Sequence, residues 1–182
     1  QAYVTDDGGV RYAALASDEA ARAQLDTFIS TVAAATPTAW SREQRLAFFI
    51  NAYNALVLHS VVQRWPIPSV MRVPGFFDRL RHQVAGRSIT LNALENGIIR
   101  GEEFSEPRIH FAVNCASVGC PPLSRHAYRS LDLDRALAAQ TQSFVRQTSR
   151  IQGRSLRVTK LFEWFVGDFG GRAGVRQFLV EH

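Results

Sequence analysis

The sequence predicts one α+β domain over residues 1–182, with a buried central helix, several flanking helices and a small, mainly antiparallel sheet. The first reason is size: 182 residues, 46% of them hydrophobic, can bury one core of ordinary domain dimensions. The second is continuity, because no repeat, low-complexity tract or Pro/Gly/Ser linker divides the chain. The third is pattern, because helical apolar spacing alternates with short strand-like segments. Together these observations favour a single core built from both helices and strands.

The first two long helices are indicated by apolar spacing and by their ends. Residues 18–35 carry apolar side chains at helical intervals after a polar start, and Pro37 ends this segment. Ser41 and Gln44 then form a capping-box pattern that begins the central helix. Its apolar run, Leu46 to Val62, occupies nearly every face. We therefore predict that the central helix is buried almost all round.

The rest of the chain is predicted from turn residues and periodicity. Prolines 66, 68 and 74 mark an irregular apolar connection. Residues 108–114 alternate apolar and polar side chains, which predicts a half-buried strand. The remaining predicted elements are a hairpin at His82–Ile89 about Ala85-Gly86, a helix at Leu91–Arg100 ending at Gly101, a helix at Asp132–Arg150, a hairpin at Ile151–Val158 near Gly153, and an aromatic, mostly helical end at Lys160–Val180 interrupted at Gly170-Gly171.

Composition bounds the partners and the compartment. The formal net charge is +5, but the basic residues are spread from Arg11 to Arg176 without a dense run, so we expect no nucleic-acid binding. No uninterrupted apolar run reaches the roughly 18–20 residues of a membrane span, so we expect no transmembrane segment. The chain begins at Gln1 rather than at a methionine, from which we expect an exported bacterial protein, periplasmic or secreted, that has lost a signal or anchor segment.

Reactive side chains are concentrated beside the predicted strand of residues 108–114. His110, Cys115 and Cys120 lie there with an amide and a hydroxyl. A thiolate activated by an imidazole is a nucleophile, so we assign Cys115 as nucleophile and His110 as base. Glu95, on the preceding helix, is the candidate that orients the imidazole. On an uninterrupted strand His110 and Cys115 would lie about 16 Å apart, so the loop must fold back to join them.

Two other interpretations of the cysteines remain open. Cys115 and Cys120 can form a disulfide that closes a small loop, or can be buried thiols with a structural role. A zinc site would use both cysteines with His110 and His126, but their spacing fits poorly with the close ligand pairs of zinc knuckles. We therefore predict no metal and no cofactor.

The central helix carries two amides in an apolar setting. Asn51 and Asn54 are three residues apart and so neighbour each other on the helix surface. Buried amides need hydrogen bonds, which favours a role in tying loops to the helix over contact with a substrate. Near the end of the chain, Glu163 and Asp168 are expected to pair with Arg108 or Arg172. The residues predicted to contact a substrate are Asn51, Asn54, Asn114, Ser117 and Cys120.

Four segments give the chain a family resemblance. Ala47–Leu56 looks like the hallmark A-F-W-I-N-A-Y-N-A-L of the DUF547 family, a family of domains of unknown function. Pro107–Leu123 resembles its segment P-R-I-H-F-A-L-N-C-A-S-x-S-C-P-P-L, with Gly119 in place of the common serine. Thr90–Arg100 is similar to L-x-x-I-E-H-x-I-L-R, with Asn96 for histidine. Lys160–Gly170 resembles K-x-F-x-W-Y-x-x-D-F-G, with Phe165 for tyrosine.

This resemblance runs in order from about Gly9 to Leu179 and implies a general-purpose domain. Relatives of this kind occur as exported bacterial proteins and, in eukaryotes, joined to other modules. The resemblance names no reaction, so the roles come from residue chemistry. We expect a thiol-dependent hydrolase or acyl transferase acting on a peptide-like or other amide ligand. The competing hypothesis is a non-enzymatic binding or scaffold domain whose cysteines are structural.

Overall fold

The computed structural model describes residues 2–117 and 119–182, so Gln1 and Val118 lie outside the described residues. Helices surround one buried helix and are accompanied by two separate antiparallel hairpins, which confirms the α+β prediction. The α-helices are α1 (Tyr12–Ser17), α2 (Glu19–Ala34), α3 (Arg42–Val62), α4 (Leu91–Leu94), α5 (Leu133–Thr148), α6 (Leu161–Trp164) and α7 (Gly171–Glu181). The strands are β1 (Arg81–Val84), β2 (Arg87–Thr90), β3 (Arg150–Gln152) and β4 (Ser155–Arg157). A π-helical turn, Glu95–Ile99, continues α4, and short 3₁₀ turns lie at Pro37–Ala39, Val70–Arg72, Pro107–Phe111 and Ser130–Asp132.

The central helix α3 begins with the predicted capping box. The Gln44 amide donates to Ser41 Oγ over 3.2 Å, and the Ser41 amide donates to Gln44 Oε1 over 2.8 Å. Within residues 2–117 and 119–182, α3 is the one helix long and apolar enough to cross a membrane, with a mean hydropathy of 1.3. However, 72% of that apolar stretch is buried inside the fold, which is the environment of a core helix.

Two hydrophobic clusters meet at the Pro107–Phe111 turn. Ile109 packs in the larger cluster around α3, whereas Phe111 packs in an aromatic cluster with Phe162, Phe169 and Phe178. The turn therefore lies between the two clusters and is buried on both sides. This placement brings His110 into the interior, where its side chain is only 1% exposed.

The strand predicted for residues 108–114 is wrong. Pro107 begins a 3₁₀ turn, and the Glu106 side chain accepts a hydrogen bond from the Arg108 amide. The Ala112 and Val113 amides both bond back to the Ile109 carbonyl. Alternation indicates a strand only when one face meets solvent, whereas residues 109–113 are all buried. With both faces covered, the alternation carried no information about secondary structure.

Both predicted hairpins are present. β1 pairs with β2 across a turn at Ala85 and Gly86, which both have positive φ angles, 49° and 72°. Their amides bond to the last turn of α2, over 2.9 Å in each case, so this hairpin is joined to the helical core. β3 pairs with β4 so that Ile151 lies opposite Leu156, and every residue of this second hairpin is exposed.

Candidate functional site

A cavity of about 290 Å³ brings together five of the side chains predicted to form the site, namely Glu95, His110, Cys115, Ser117 and Cys120. Most of the remaining lining is apolar and comes from Val70, Met71, Phe77, Val113, Pro121, Leu161, Trp164 and Phe165, with Tyr53 from α3. Pockets with apolar walls and a few converging polar groups are the usual form of small-ligand sites. The turn at residues 107–111 and the loop after it fold back, as the sequence required, to place His110 and Cys115 on one cavity.

Cys115 and Cys120 form a disulfide, with their Cα atoms 6.1 Å apart. The disulfide is one of the two alternatives to a nucleophilic Cys115. In this oxidised form Cys115 has no thiolate. Asn114 holds the loop at both ends: its Oδ1 accepts from the Ala116 amide over 2.8 Å, and its Nδ2 donates to the Pro121 carbonyl over 2.7 Å. The Asn114 side chain and the disulfide therefore both hold the loop that forms this wall of the cavity.

His110 is oriented by Asp168, not by Glu95 as the sequence suggested. His110 Nε2 lies 2.8 Å from Asp168 Oδ2. Arg100 binds the same carboxylate through two nitrogens, over 2.7 and 2.9 Å. Phe165 stacks on the His110 ring, with 3.9 Å between centroids and 17° between planes. Asp168 thus pairs with Arg100 rather than with Arg108 or Arg172, because the turn before α7 packs against the end of the π-helical turn.

The protonation state of this pair follows from burial and charge. The hydrogen bonds from Arg100 hold the pKa of Asp168 below its usual value, so the carboxylate is ionised. Burial lowers the pKa of His110 to about 4, so the imidazole is neutral at neutral pH. An ionised carboxylate only accepts hydrogen bonds, so the His110 proton lies on Nε2 and Nδ1 keeps its lone pair. A neutral imidazole in this tautomer is suited to act as a base.

The lowered pKa of His110 predicts an acid-dependent loss of stability. The unfolded chain takes up this proton near pH 6.5, whereas the folded chain resists it until about pH 4, so stability is lost as pH falls between these values. Between pH 7 and pH 5 we expect His110 to account for a loss of about 2 kcal/mol. Urea unfolding at both pH values should therefore show a smaller pH effect in His110→Gln than in the unmodified chain.

The raised pKa of Glu95 changes stability with pH in the opposite direction. Because Glu95 is present in both chains, its contribution cancels when their pH effects are compared. His126→Gln is the matched control, because His126 is exposed. An equal pH effect in all three chains would contradict a buried, neutral His110.

Glu95 occupies a different place from the one assigned by sequence. It receives a hydrogen bond from the Tyr53 hydroxyl on α3, and Tyr53 is only 1% exposed. Burial raises the pKa of Glu95 above its ordinary value and raises that of Tyr53 as well. Glu95 is therefore an acid with reduced tendency to ionise, placed on the same cavity as His110.

The asparagines of α3 serve the backbone rather than the cavity. Asn54 donates to the Ala112 carbonyl over 2.9 Å and accepts from the Asn114 amide over 2.8 Å. Asn51 makes the same two kinds of bond with Tyr128, over 2.8 and 2.9 Å. Asn51, Asn54 and Asn114 do not line the 290 Å³ cavity, although Asn114 lines a second one of about 550 Å³ on the N-terminal side of the loop. Asn54 and Asn114 thus hold the loop and Asn51 holds the backbone at Tyr128, while their contact with a substrate stays a prediction.

The proposed zinc ligands do not form a metal site. Both sulfurs are bonded to each other, which removes the two thiolates that zinc would need. Among residues 2–117 and 119–182, no group of three or more His, Cys, Asp or Glu side chains is arranged to hold a metal ion.

Three contributors to the site were missed from the sequence: Tyr53, Arg100 and Asp168. Tyr53 lies within the apolar run of α3, where no local pattern marks its hydroxyl as part of a site. A signal for Asp168 was present, because an acidic residue between aromatics needs a partner when that segment packs. Without the tertiary fold, Tyr53 could not be assigned as the partner of Glu95, nor Asp168 as the partner of His110.

The fold and the site define a helical α+β domain with a disulfide-lined cavity that also contains a neutral histidine and a partly buried acid. Its sequence matches the family model described as "Protein of unknown function, DUF547" over residues 37–145, more than half of the chain. The chain therefore belongs to this family. Neither a curated protein nor a solved structure matches it.

Proposed function

We propose that the reduced form of this protein is a thiol-dependent hydrolase or acyl transferase that acts on an amide or peptide-like substrate. The supporting observation is that Cys115 lines the same cavity as a neutral His110 whose Nε2–H is held by Asp168. A nucleophile, a base and an orienting carboxylate are the three parts of a catalytic triad. In this proposal Cys115, His110 and Asp168 take those parts.

The chemistry begins when a dithiol reduces the Cys115–Cys120 disulfide and is itself oxidised. His110 Nδ1 then takes the Cys115 proton while the sulfur attacks the substrate carbonyl carbon. The carbonyl–nitrogen bond breaks, the amine leaves with the proton from His110, and the acyl group stays on sulfur as a thioester. Water or another acceptor then removes the acyl group. Glu95, in its protonated form, can donate a hydrogen bond to the carbonyl oxygen as charge develops there.

The cavity wall favours a substrate with an apolar group next to the reacting amide. Val70, Phe77 and Leu161 line the interior. Met71 and Trp164 also line it, and they are 77% and 66% exposed, so they extend the apolar surface outward. A cavity of about 290 Å³ is small by the standard of ligand sites, so one aromatic or aliphatic side chain fits better than a long ligand.

The test uses Cys120→Ser, which frees Cys115 without a reductant. We expect the nitrophenyl ester of N-acetylphenylalanine to acylate this variant with a burst of nitrophenol, one per chain. Adding His110→Gln should slow the burst about 100-fold, the scale of general-base catalysis. The acid limb of the burst rate should lie near pH 4, because the base is His110 with its lowered pKa.

Cys115→Ser/Cys120→Ser must show no burst, and Cys120→Ser/His126→Gln serves as the matched histidine control. A burst that is unchanged by His110→Gln, or an acid limb near pH 6.5, would reject the assigned base. A Cys115 that reacts no faster than a small free thiol would reject the enzyme.

The second candidate is a non-enzymatic binding or scaffold domain. The observation that favours it is the network of Asn54 and Asn114 bonds that, with the disulfide, holds the loop in place. On this hypothesis, removing both cysteines lowers stability and leaves no chemical activity to lose. The same variants therefore separate the two candidates.

A further inference from the structure

The β3–β4 hairpin is an exposed, two-stranded projection with an apolar pair on one face. Ile151 and Leu156 lie directly opposite each other, so their side chains share a face. Ile151 is 81% exposed and Leu156 is 51% exposed. The hairpin lies outside the residues that line the 290 Å³ cavity, so the function of that cavity does not explain this surface.

The charged residues of this segment of the chain all have the same sign. The chain has no Asp or Glu between Asp134 and Glu163. Five basic residues lie in and beside the hairpin, all exposed: Arg146, Arg150, Arg154, Arg157 and Lys160. None of the five takes part in the ion pairs of residues 2–117 and 119–182. The hairpin therefore carries an apolar pair on one face, Arg150 and Arg157 on the other face and Arg154 at its turn, and it has no acidic residue of its own.

We propose that the β3–β4 hairpin docks on an anionic lipid surface. Ile151 and Leu156 enter the head-group region, where apolar side chains leave water. Arg154, in the turn between the two strands, contacts the lipid phosphates. Arg157 lies on the face opposite to Leu156, and its charge is attracted to the anionic surface across the thickness of the hairpin. A lipid surface matches both features at once, since it offers negative charge over an apolar layer.

Nucleic acid matches only the charge. Proteins that bind single strands stack bases on aromatic side chains, and residues 150–157 contain no aromatic residue. Phosphate contacts alone would leave Ile151 and Leu156 in water. The pair of exposed aliphatic side chains therefore favours lipid.

The test is sedimentation of the full chain with vesicles. We expect partition into vesicles of equal parts phosphatidylcholine and phosphatidylglycerol to exceed that into pure phosphatidylcholine at least about tenfold, and to weaken as salt rises. Ile151→Ser/Leu156→Ser should lower the partition into the anionic vesicles at least about tenfold. Arg154→Gln/Arg157→Gln should lower it by a similar factor.

Matched controls separate binding by the hairpin from nonspecific hydrophobic binding and from the effect of net charge. Leu131→Ser removes another apolar side chain, which is 97% exposed, and Arg22→Gln/Arg87→Gln removes the same two charges elsewhere. Both controls should bind like the unmodified chain. Equal binding by the hairpin variants and the controls would overturn the proposal, as would equal partition into neutral vesicles. Retention on heparin without any vesicle binding would also overturn it and would indicate a soluble polyanion instead.

Discussion

We expect Gly174→Ala to lower the free energy of unfolding by about 3 kcal/mol or more. Gly174 lies in α7, and a Cβ atom there would overlap the backbone carbonyl oxygen of Phe169. A backbone oxygen cannot swing away as a flexible side chain can, so either α7 or the turn before it must move. That turn carries Asp168, which holds His110 and Arg100. The variant should therefore lose both stability and the orientation of His110.

Urea unfolding followed by circular dichroism measures this loss, and Gly97→Ala is the matched control. Gly97 is also a helical glycine, but a Cβ atom there meets nothing within 4 Å. We expect that control to change stability by less than about 1 kcal/mol, in the stabilising direction, because alanine favours helix more than glycine does. Equal effects of the two substitutions would show that α7 does not press on the Phe169 carbonyl.

The second large effect is expected at Asn54, whose substitution by alanine should cost about 3 kcal/mol of stability. Both halves of its amide are used, on the Ala112 carbonyl and the Asn114 amide. Truncation removes two hydrogen bonds and leaves both backbone groups without these partners inside the fold. It also releases the start of the loop that carries Cys115, so the disulfide should become easier to reduce.

Gln24→Ala on the exposed side of α2 is the control for removal of an amide. It should change the free energy of unfolding by less than about 0.5 kcal/mol, as surface substitutions usually do. The rate of disulfide reduction by dithiothreitol gives a second measurement for Asn54→Ala. If Asn54→Ala matches Gln24→Ala in both stability and reduction rate, the amide does not hold the loop.

The elements predicted correctly are those encoded by neighbouring residues. The capping box of Ser41 and Gln44 is a local pattern, and α3 begins there. The Ala85-Gly86 turn needs positive φ angles, and the hairpin of β1 and β2 forms around it. Residues 108–114 were mispredicted because their alternation reflects two different clusters on two sides, a feature of packing rather than of local conformation.

The sequence by itself determined the family, the buried central helix and the closeness along the chain of His110, Cys115, Ser117 and Cys120, because all of these depend on short-range spacing. Only the tertiary structure decided that Asp168, 58 residues beyond His110, orients the imidazole, and that Glu95 instead bonds with Tyr53. The tertiary structure also decided that both hydrogen bonds of the Asn54 side chain are made with the loop backbone. The physical reason is that a buried polar group bonds to whichever partner the packing of distant segments brings within hydrogen-bonding distance. Spacing along the sequence does not predict which partner that is.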